Sequence, residues 1–536
     1  MRLRTPLHCP KFPRAGLILL LGLAGCSSVP EQTLPELPVP ERYLEAQPPQ
    51  QAALPWAPAT RALADAAPWA VFDLPELPGL LARLDAANAN LALARGRYDQ
   101  AASLIRQARA ALYPTLNGNA AVSRGQASAA AGAQTTDSLG LSASWELDVW
   151  GRLRGTVAAN TASAEASAAD LAGSRLALQA QLVQALLSLR VVAVQRQLLE
   201  ATVADYRRYR ALTGERVRFG IASRADLAQA DSQLKSAEAL AVETGVQQAQ
   251  LRHALAVLVG ELPSQFELPD TAARPAPLRA PLRAEVGAPP APAAAGTPER
   301  RENRDAGRSP ALKPDAGGPG DIHPPVLGLA PGLPPVPLTA PSTLLQRRPD
   351  IVAAERRAAA ANAQIGVAAT AYYPVLSLGV TLGQKATSWD ALFSTPARVW
   401  SLGPALATTL FDAGLRRAQQ AQALASWDQA AASYRQTTLA AFQEVEDQLA
   451  TLRILADEAR IQDEAVAAAR SSAELSLAQY RAGTATSLQV ITANAQLLNT
   501  ERTALELHSR RLSAAVTLIR ALGGGWGLVE QGEADQ

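Results

Sequence analysis

The sequence predicts a mixed α and β membrane protein made of two duplicated halves, each running helix, strand, strand, long helix, tight turn, helix. Three observations point there: landmarks that recur at a near-constant offset, short alternating segments beside long proline-free heptad stretches, and a leader that ends in a lipidation signal. The 536 residues suffice for one large or two to three ordinary domains. Charge is nearly balanced, 50 Lys and Arg against 48 Asp and Glu, so no global basic field points to nucleic acid. Aromatic residues make up only 4%, and the 48% apolar share leans on Ala, Leu and Val, which suits long helices packed through small side chains. Two cysteines and four histidines exclude a disulfide framework and a dense metal cage.

Residues 1–25 read as a lipoprotein signal peptide. Arg2, Arg4, Lys11 and Arg14 form a basic region, and Ala15 to Ala24 an apolar one too short to remain as a spanning helix. The leader ends Leu23-Ala24-Gly25-Cys26, which looks like a lipobox, so Cys26 is expected to carry a diacylglycerol and an N-acyl chain. Ser27 behind it resembles the outer-membrane sorting choice, and Cys9 leaves with the leader. Residues 26–68 then form a lipid-anchored, proline-rich segment running along the surface. Beyond it no run approaches the ~20 apolar residues of a membrane helix, so any crossing must use strands closed into a barrel.

The body divides into repeats at 69–262 and 342–526, a crossover at 263–341 and a tail at 527–536. Tyr113-Pro114 recurs as Tyr373-Pro374, Asp148-x-x-Gly151 as Asp412-x-Gly414, and Phe219-Gly220 as Ala482-Gly483, at offsets of 260, 264 and 263. Their common order and spacing indicate an internal duplication. In the first half Leu81 to Leu112 reads as one helix, stopped by Pro114. Leu116, Gly118, Ala120 and Val122 then alternate with small or polar residues, and after a loop from Gly125 to Asp137 so do Leu139, Leu141, Ala143 and Trp145. The second half repeats this with Leu376, Leu378, Val380 and Leu382, and less regularly from Trp400 to Leu410, which contains Pro404. Such period-two segments of about 8–10 residues fit an outer-membrane barrel. A half-buried soluble sheet has the same period; the lipobox favours the barrel. Four strands cannot close one, since about eight are needed, but three copies would pool twelve.

Leu171, Leu178, Leu182, Ala185, Leu189, Val192, Leu199, Val203 and Tyr206 make a sustained heptad seam. The proline-free stretch from Gly151 to Phe219 predicts a helix about 100 Å long. Its return partner, Ala222 to Leu258, stops at Gly260 and Pro263. In the second half Leu439, Phe442, Val445, Leu449 and Leu452 share one face, and Gly523-Gly524-Gly525 ends the last helix. The crossover is rich in Pro, Ala and Gly and reads as partly disordered.

The run Leu344-Leu345-Gln346-Arg347-Arg348-Pro349-Asp350-Ile351 with Ala354-Glu355-Arg356 resembles the start of the second repeat of TolC-like outer-membrane factors, most closely the NodT-type efflux lipoproteins. Trp145 to Arg152, Ala371 to Pro374, Phe442 to Asp447, Tyr480 to Gly483 and Ala521 to Trp526 extend the resemblance over nearly the whole chain. It implies a homotrimer with a 12-stranded β-barrel in the outer membrane and a long periplasmic α-helical coiled-coil barrel. Such a duct would be the passive exit of a tripartite efflux pump for drugs, solvents or other small toxic compounds. Its partners would be a periplasmic adaptor and an inner-membrane transporter, expected of the RND type.

The resemblance also assigns sites. Phe219, Gly220, Ile221, Ala222 and Ser223, with Ala482, Gly483, Thr484 and Ala485, would be the periplasmic tips that meet the adaptor. Asp226 and Tyr480 match gate residues, whereas Gln489 and Thr492 stand where the family often has acids, and Ala485 where it can have Arg. A less ionic gate is therefore expected. For Asp226 a plain helix-start carboxylate explains the residue equally well. Arg347-Arg348-Pro349-Asp350 suits a first helical turn better than a phosphate site. Glu444, Glu446 and Asp447 read as a solvated face, His253, His323 and His508 are scattered, and no catalytic motif appears. An enzyme and a resident cofactor are thus not expected. The alternative is a non-conducting coiled-coil lipoprotein that bridges envelope layers.

Overall fold

The computed structural model describes residues 32–34, 40–46, 56–58, 69–126, 132–268, 336–338, 341, 345 and 347–524. In chain order these give β1 (Trp56–Pro58), α1 (Leu77–Ala87), α2 (Ala89–Ala110), β2 (Thr115–Gly125), β3 (Gln134–Leu147), α3 (Arg152–Arg218) and α4 (Arg224–Leu258). There follow β4 (Val336–Leu338), α5 (Pro349–Thr370), β5 (Val375–Ala386), the single-turn α6 (Trp389–Leu392), β6 (Arg398–Ala407), α7 (Leu415–Arg481) and α8 (Ser487–Ala521). The expected order of elements stands in both halves. Cys26, the leader and most of the crossover lie outside the described residues. Within the crossover, 336–338 is a strand, β4, that pairs in parallel with β1.

Each half pairs one 67-residue helix, α3 or α7, with two shorter helices stacked end to end. The end of α4 abuts the start of α2: Asn88 caps α2 by accepting from the Leu91 N–H and donates its own amide to the Leu258 carbonyl at 2.8 Å. The end of α8 abuts α5 in the same way, with Arg348 donating to the Ala521 carbonyl at 3.1 Å. A Cβ on Gly260 or Gly523 would stand 2.3 or 2.6 Å from the carbonyl oxygen of Ala87 or Arg347, and both glycines have positive φ, so these joints require glycine. Asn88 also splits the expected Leu81–Leu112 helix in two, because its extended backbone satisfies two helix ends at once.

The largest core lies at this joint level, where α1, α3, α7 and α8 converge with Tyr43 and Trp69 from the N-terminal segment. The backbone N–H groups of Leu44 and Glu45 donate to Glu446, and Arg453 pairs with Glu45. The heptad seam is buried or half-buried throughout. Leu439 departs from its expected face and is 49% exposed, with Thr438 and Ala441 turned inward instead. An 18-residue stretch of α3 reaches a mean hydropathy of 1.5, more apolar than the sequence reading allowed, and more than half of it is buried among the other helices. Packing inside the coil accounts for that apolarity.

Candidate functional site: the strand sheet and the interhelical tips

The four long strands form one antiparallel sheet in the order β2-β3-β5-β6, so the β3–β5 pair joins the halves. The register makes one face apolar across the whole sheet: Gly118 stands opposite Leu141, Leu141 opposite Leu382, and Leu382 opposite Trp400. The other face carries Asn119, Gly140, Gly383 and Val399 at the adjacent level, and mostly small or hydroxyl side chains beyond, with Asn117, Glu146 and Lys385 among them. The apolar face is bare: Leu116, Leu141, Leu382, Trp400, Leu402 and Leu406 are all more than half exposed. Among the described residues, strands β2 and β6, of 11 and 10 residues, have no outer neighbour. Long apolar edges of this kind pair with another chain unless they are covered.

Aromatic side chains cluster where the sheet meets the helices. Trp150 stacks on Tyr373 at 4.8 Å and donates to the Pro374 carbonyl at 2.7 Å, while Trp145 donates to the Leu112 carbonyl. Each long helix then starts with an aspartate that closes the turn. Asp148 accepts from the N–H groups of Leu153 and Arg154, and Asp412 from those of Gly414 and Arg416.

At the far end, α3 turns into α4 and α7 into α8 with the same backbone. Gly220 and Gly483 take positive φ of 72° and 80°. The N–H of Ile221 reaches the Arg216 carbonyl and that of Thr484 the Gln479 carbonyl, a Schellman closure at each tip. Each return helix begins with a capping box, Ser223 with Asp226 and Thr486 with Gln489. Phe219 and Ile221 are left 71% and 73% exposed at the first tip. Ser223, Ala482, Gly483 and Thr484 are exposed as well, and Ala222 and Ala485 half-buried.

The two coils are tied together just above these turns. Asp226 accepts from the Ser487 hydroxyl of the other coil as well as from its own cap, and these hydrogen bonds hold its carboxyl below the usual carboxylate range. Tyr480 is buried against Tyr209 at 5.6 Å, with Ala230, Val490 and Ile491 around them. The Arg216 guanidinium sits 4.1 Å over the Tyr480 ring and donates to the Tyr480 carbonyl. Tyr209 donates to the Ser487 carbonyl, and burial beside Tyr480 pushes its hydroxyl up to about 12. Asp226 and Tyr480 therefore share one cluster, although they do not bond each other. Sequence reading missed Arg216, Tyr209 and Ser487; the one available signal was their closeness to the two turns.

The other charged motifs serve the fold. Arg348 pairs with Asp350 and Glu444, as its expected place at a helix start implies. Of the three acids expected on a solvated face only Asp447 is exposed: Glu444 is half-buried and also meets Arg520, and half-buried Glu446 holds the N-terminal segment, because the helix face packs against other parts of the chain. Among the described residues no cluster of His, Cys, Asp and Glu suits a metal ion.

Comparison with known proteins agrees with this architecture. Residues 80–261 and 340–524 match the outer membrane efflux protein family, one block per half. The chain is 29% identical over 96% of its length to the outer membrane protein OprJ of Pseudomonas aeruginosa, covering 96% of that protein. It is 28% identical to the solvent efflux pump outer membrane protein SrpC of Pseudomonas putida, with 96% of this chain and 99% of that protein covered. The solved outer-membrane channel OprN superposes with a TM-score of 0.73 at 26% identity, over 92% of this chain and 99% of that one. The matching family is one of efflux proteins, not of enzymes. The chain therefore belongs to the outer membrane efflux protein family and works in the outer membrane of a Gram-negative bacterium as the exit duct of an efflux pump.

Proposed function

We propose that three copies close a twelve-stranded barrel through the outer membrane and continue it as a helical tunnel into the periplasm. One observation carries this reading: a four-stranded sheet with one continuous bare apolar face and two open edges. A single chain leaves both edges unsatisfied; β2 of one copy against β6 of the next satisfies them, with the apolar face toward lipid and the small, hydroxyl-rich face toward water. At 67 residues, α3 and α7 would extend the tunnel by about 100 Å.

In this assembly the chain performs no chemistry, and the inner-membrane transporter, of the RND type, supplies the energy. The Phe219–Ser223 and Ala482–Ala485 turns meet the periplasmic adaptor, since their exposed apolar and small side chains let a partner helix come close. Asp226 and Tyr480, with Arg216 and Tyr209, hold the tunnel's periplasmic end. Cys26 carries the acyl chains that fix the chain to the membrane. The cargo is a drug, solvent or other small toxic compound, in keeping with the solvent pump named for SrpC.

Single-particle imaging of protein extracted from outer membranes in mild detergent tests the assembly. A threefold tube with a stem of about 100 Å is expected; monomers or two-stranded rods without a lumen would overturn the duct and favour an envelope bridge. Arg in place of Leu141 or Leu378 should impair outer-membrane assembly, because a charge at midplane costs about 2–4 kcal/mol. Normal assembly of both variants would remove the barrel.

A further inference from the structure

The loop end of the sheet's apolar face carries two arginines that the duct does not use. Arg124 lies at the end of β2 and Arg398 at the start of β6, and the strand register puts both on the face that bears Val122 and Trp400. Both are exposed, and neither forms an ion pair among the described residues. Asp137, diagonal to Arg124 on the same face of the neighbouring strand, is covered and only 6% exposed, whereas both arginines stand open. Lys385, at the same end, lies on the opposite, water-facing side of the sheet.

Descending from this rim, the face changes from basic to aromatic to aliphatic. Trp400 follows Arg398 at 72% exposure, and Leu402 and Leu406 continue below it. Trp389 and Phe393 in the neighbouring loop meet edge-on at 6.0 Å and are both exposed. The order matches an amphiphile with an anionic head and acyl chains. Guanidinium groups at the top of an apolar band grip phosphate bidentately while aromatic rings occupy the interface. Because β2 and β6 are the two open edges, closing the barrel brings Arg124 of one copy and Arg398 of the next to the same seam.

We propose that this seam, which rests on the trimeric barrel reading, binds the phosphorylated headgroup of an outer-leaflet lipid. The assembled protein in mild detergent is first imaged, then titrated with synthetic bisphosphorylated lipid A and with the same lipid lacking phosphates. Native mass spectrometry counts the lipids retained. The wild-type trimer should hold the phosphorylated lipid at least about tenfold more tightly, as charge-assisted bidentate bonds imply. R124Q/R398Q trimers should lose that preference, R124K/R398K should keep part of it, and K385Q should keep it whole. If the double variant fails to assemble, the single R398Q change serves in its place. Equal retention of the two lipids by wild type, or unchanged preference in the glutamine variants, overturns the site. Competition by millimolar inorganic phosphate without any need for acyl chains overturns the lipid as its occupant. Absence of a threefold barrel in the first images instead removes the duct reading, and the seam with it, before lipid is added.

Discussion

At the first tip the capping carboxylate of Asp226 reaches across to Ser487 on the other coil, whereas at the second tip Gln489 serves only its own cap at Thr486. The turns share a left-handed glycine, a Schellman closure and a capping box, so their backbones are equivalent. Their side chains are not. The first coil contributes Arg216, Tyr209 and Asp226, and the second receives them with Tyr480 and Ser487. The duplication thus kept what reverses the chain at both ends and used the side chains to couple one coil to the other. A tip of this kind yields by releasing a contact between coils, not by unmaking a turn.

The largest expected effect comes from that coupling. Tyr480→Ala removes a buried ring and should cost about 3–5 kcal/mol of local stability. Because Tyr480 touches Tyr209 and Arg216 of the first coil, amide hydrogen exchange should accelerate on both 209–226 and 480–491. Acceleration confined to the second coil would break the coupling. Next, Gly220→Val and Gly483→Val each force a branched residue into positive φ, at about 1–2 kcal/mol. Equal shifts in thermal unfolding are expected, and a clear inequality would mean that the backbones are not equivalent.

Ser223→Ala and Thr486→Ala should each cost about 1 kcal/mol as lost helix caps. Against Ser487→Ala, Asp226→Asn should be strongly non-additive in a double-mutant cycle, while Gln489→Ala should add independently. The smallest effect concerns pH. The folded pKa of Asp226 is lowered by its Ser487 and Ser223 hydrogen bonds, so its contribution is complete above the unfolded carboxyl range near ~3.9. That contribution is lost as pH falls through the lower folded value. Exchange-protection of 223–231, corrected for intrinsic rates, should therefore weaken in strong acid, and 486–494 should weaken less, since it loses only the Ser487 contact while the Gln489 cap does not titrate.

Local patterning made much of this readable in advance. Period-two alternation located the strands, because one face meets lipid or core and the other water. The absence of proline and the heptad seam set the length of α3, and glycines at 220, 483 and 523 marked the chain reversals and a helix end. The break at Asn88 was hidden, since an asparagine in a helical run signals a cap only once another helix end, here Leu258, is in place to receive its amide. Leu439 misled for a related reason. Several registers satisfy a long heptad, and the partner helix decides which one is buried.

The candidate site shows the same limit. The turns could be found by residue type, and Asp226 and Tyr480 by resemblance, but Arg216 lies among several arginines of α3 that look alike in sequence. What distinguishes it is a ring 264 positions away in the chain.

By itself the sequence determined the duplicated order of elements, the strand faces, the length of the long helix α3 and the turn chemistry, because each depends on side chains a few residues apart. The tertiary structure decided which strands became open edges, how two short helices stack into one, and which charges meet across the coils. Those outcomes depend on long-range register, where a shift of a single residue exchanges a buried face for an exposed one.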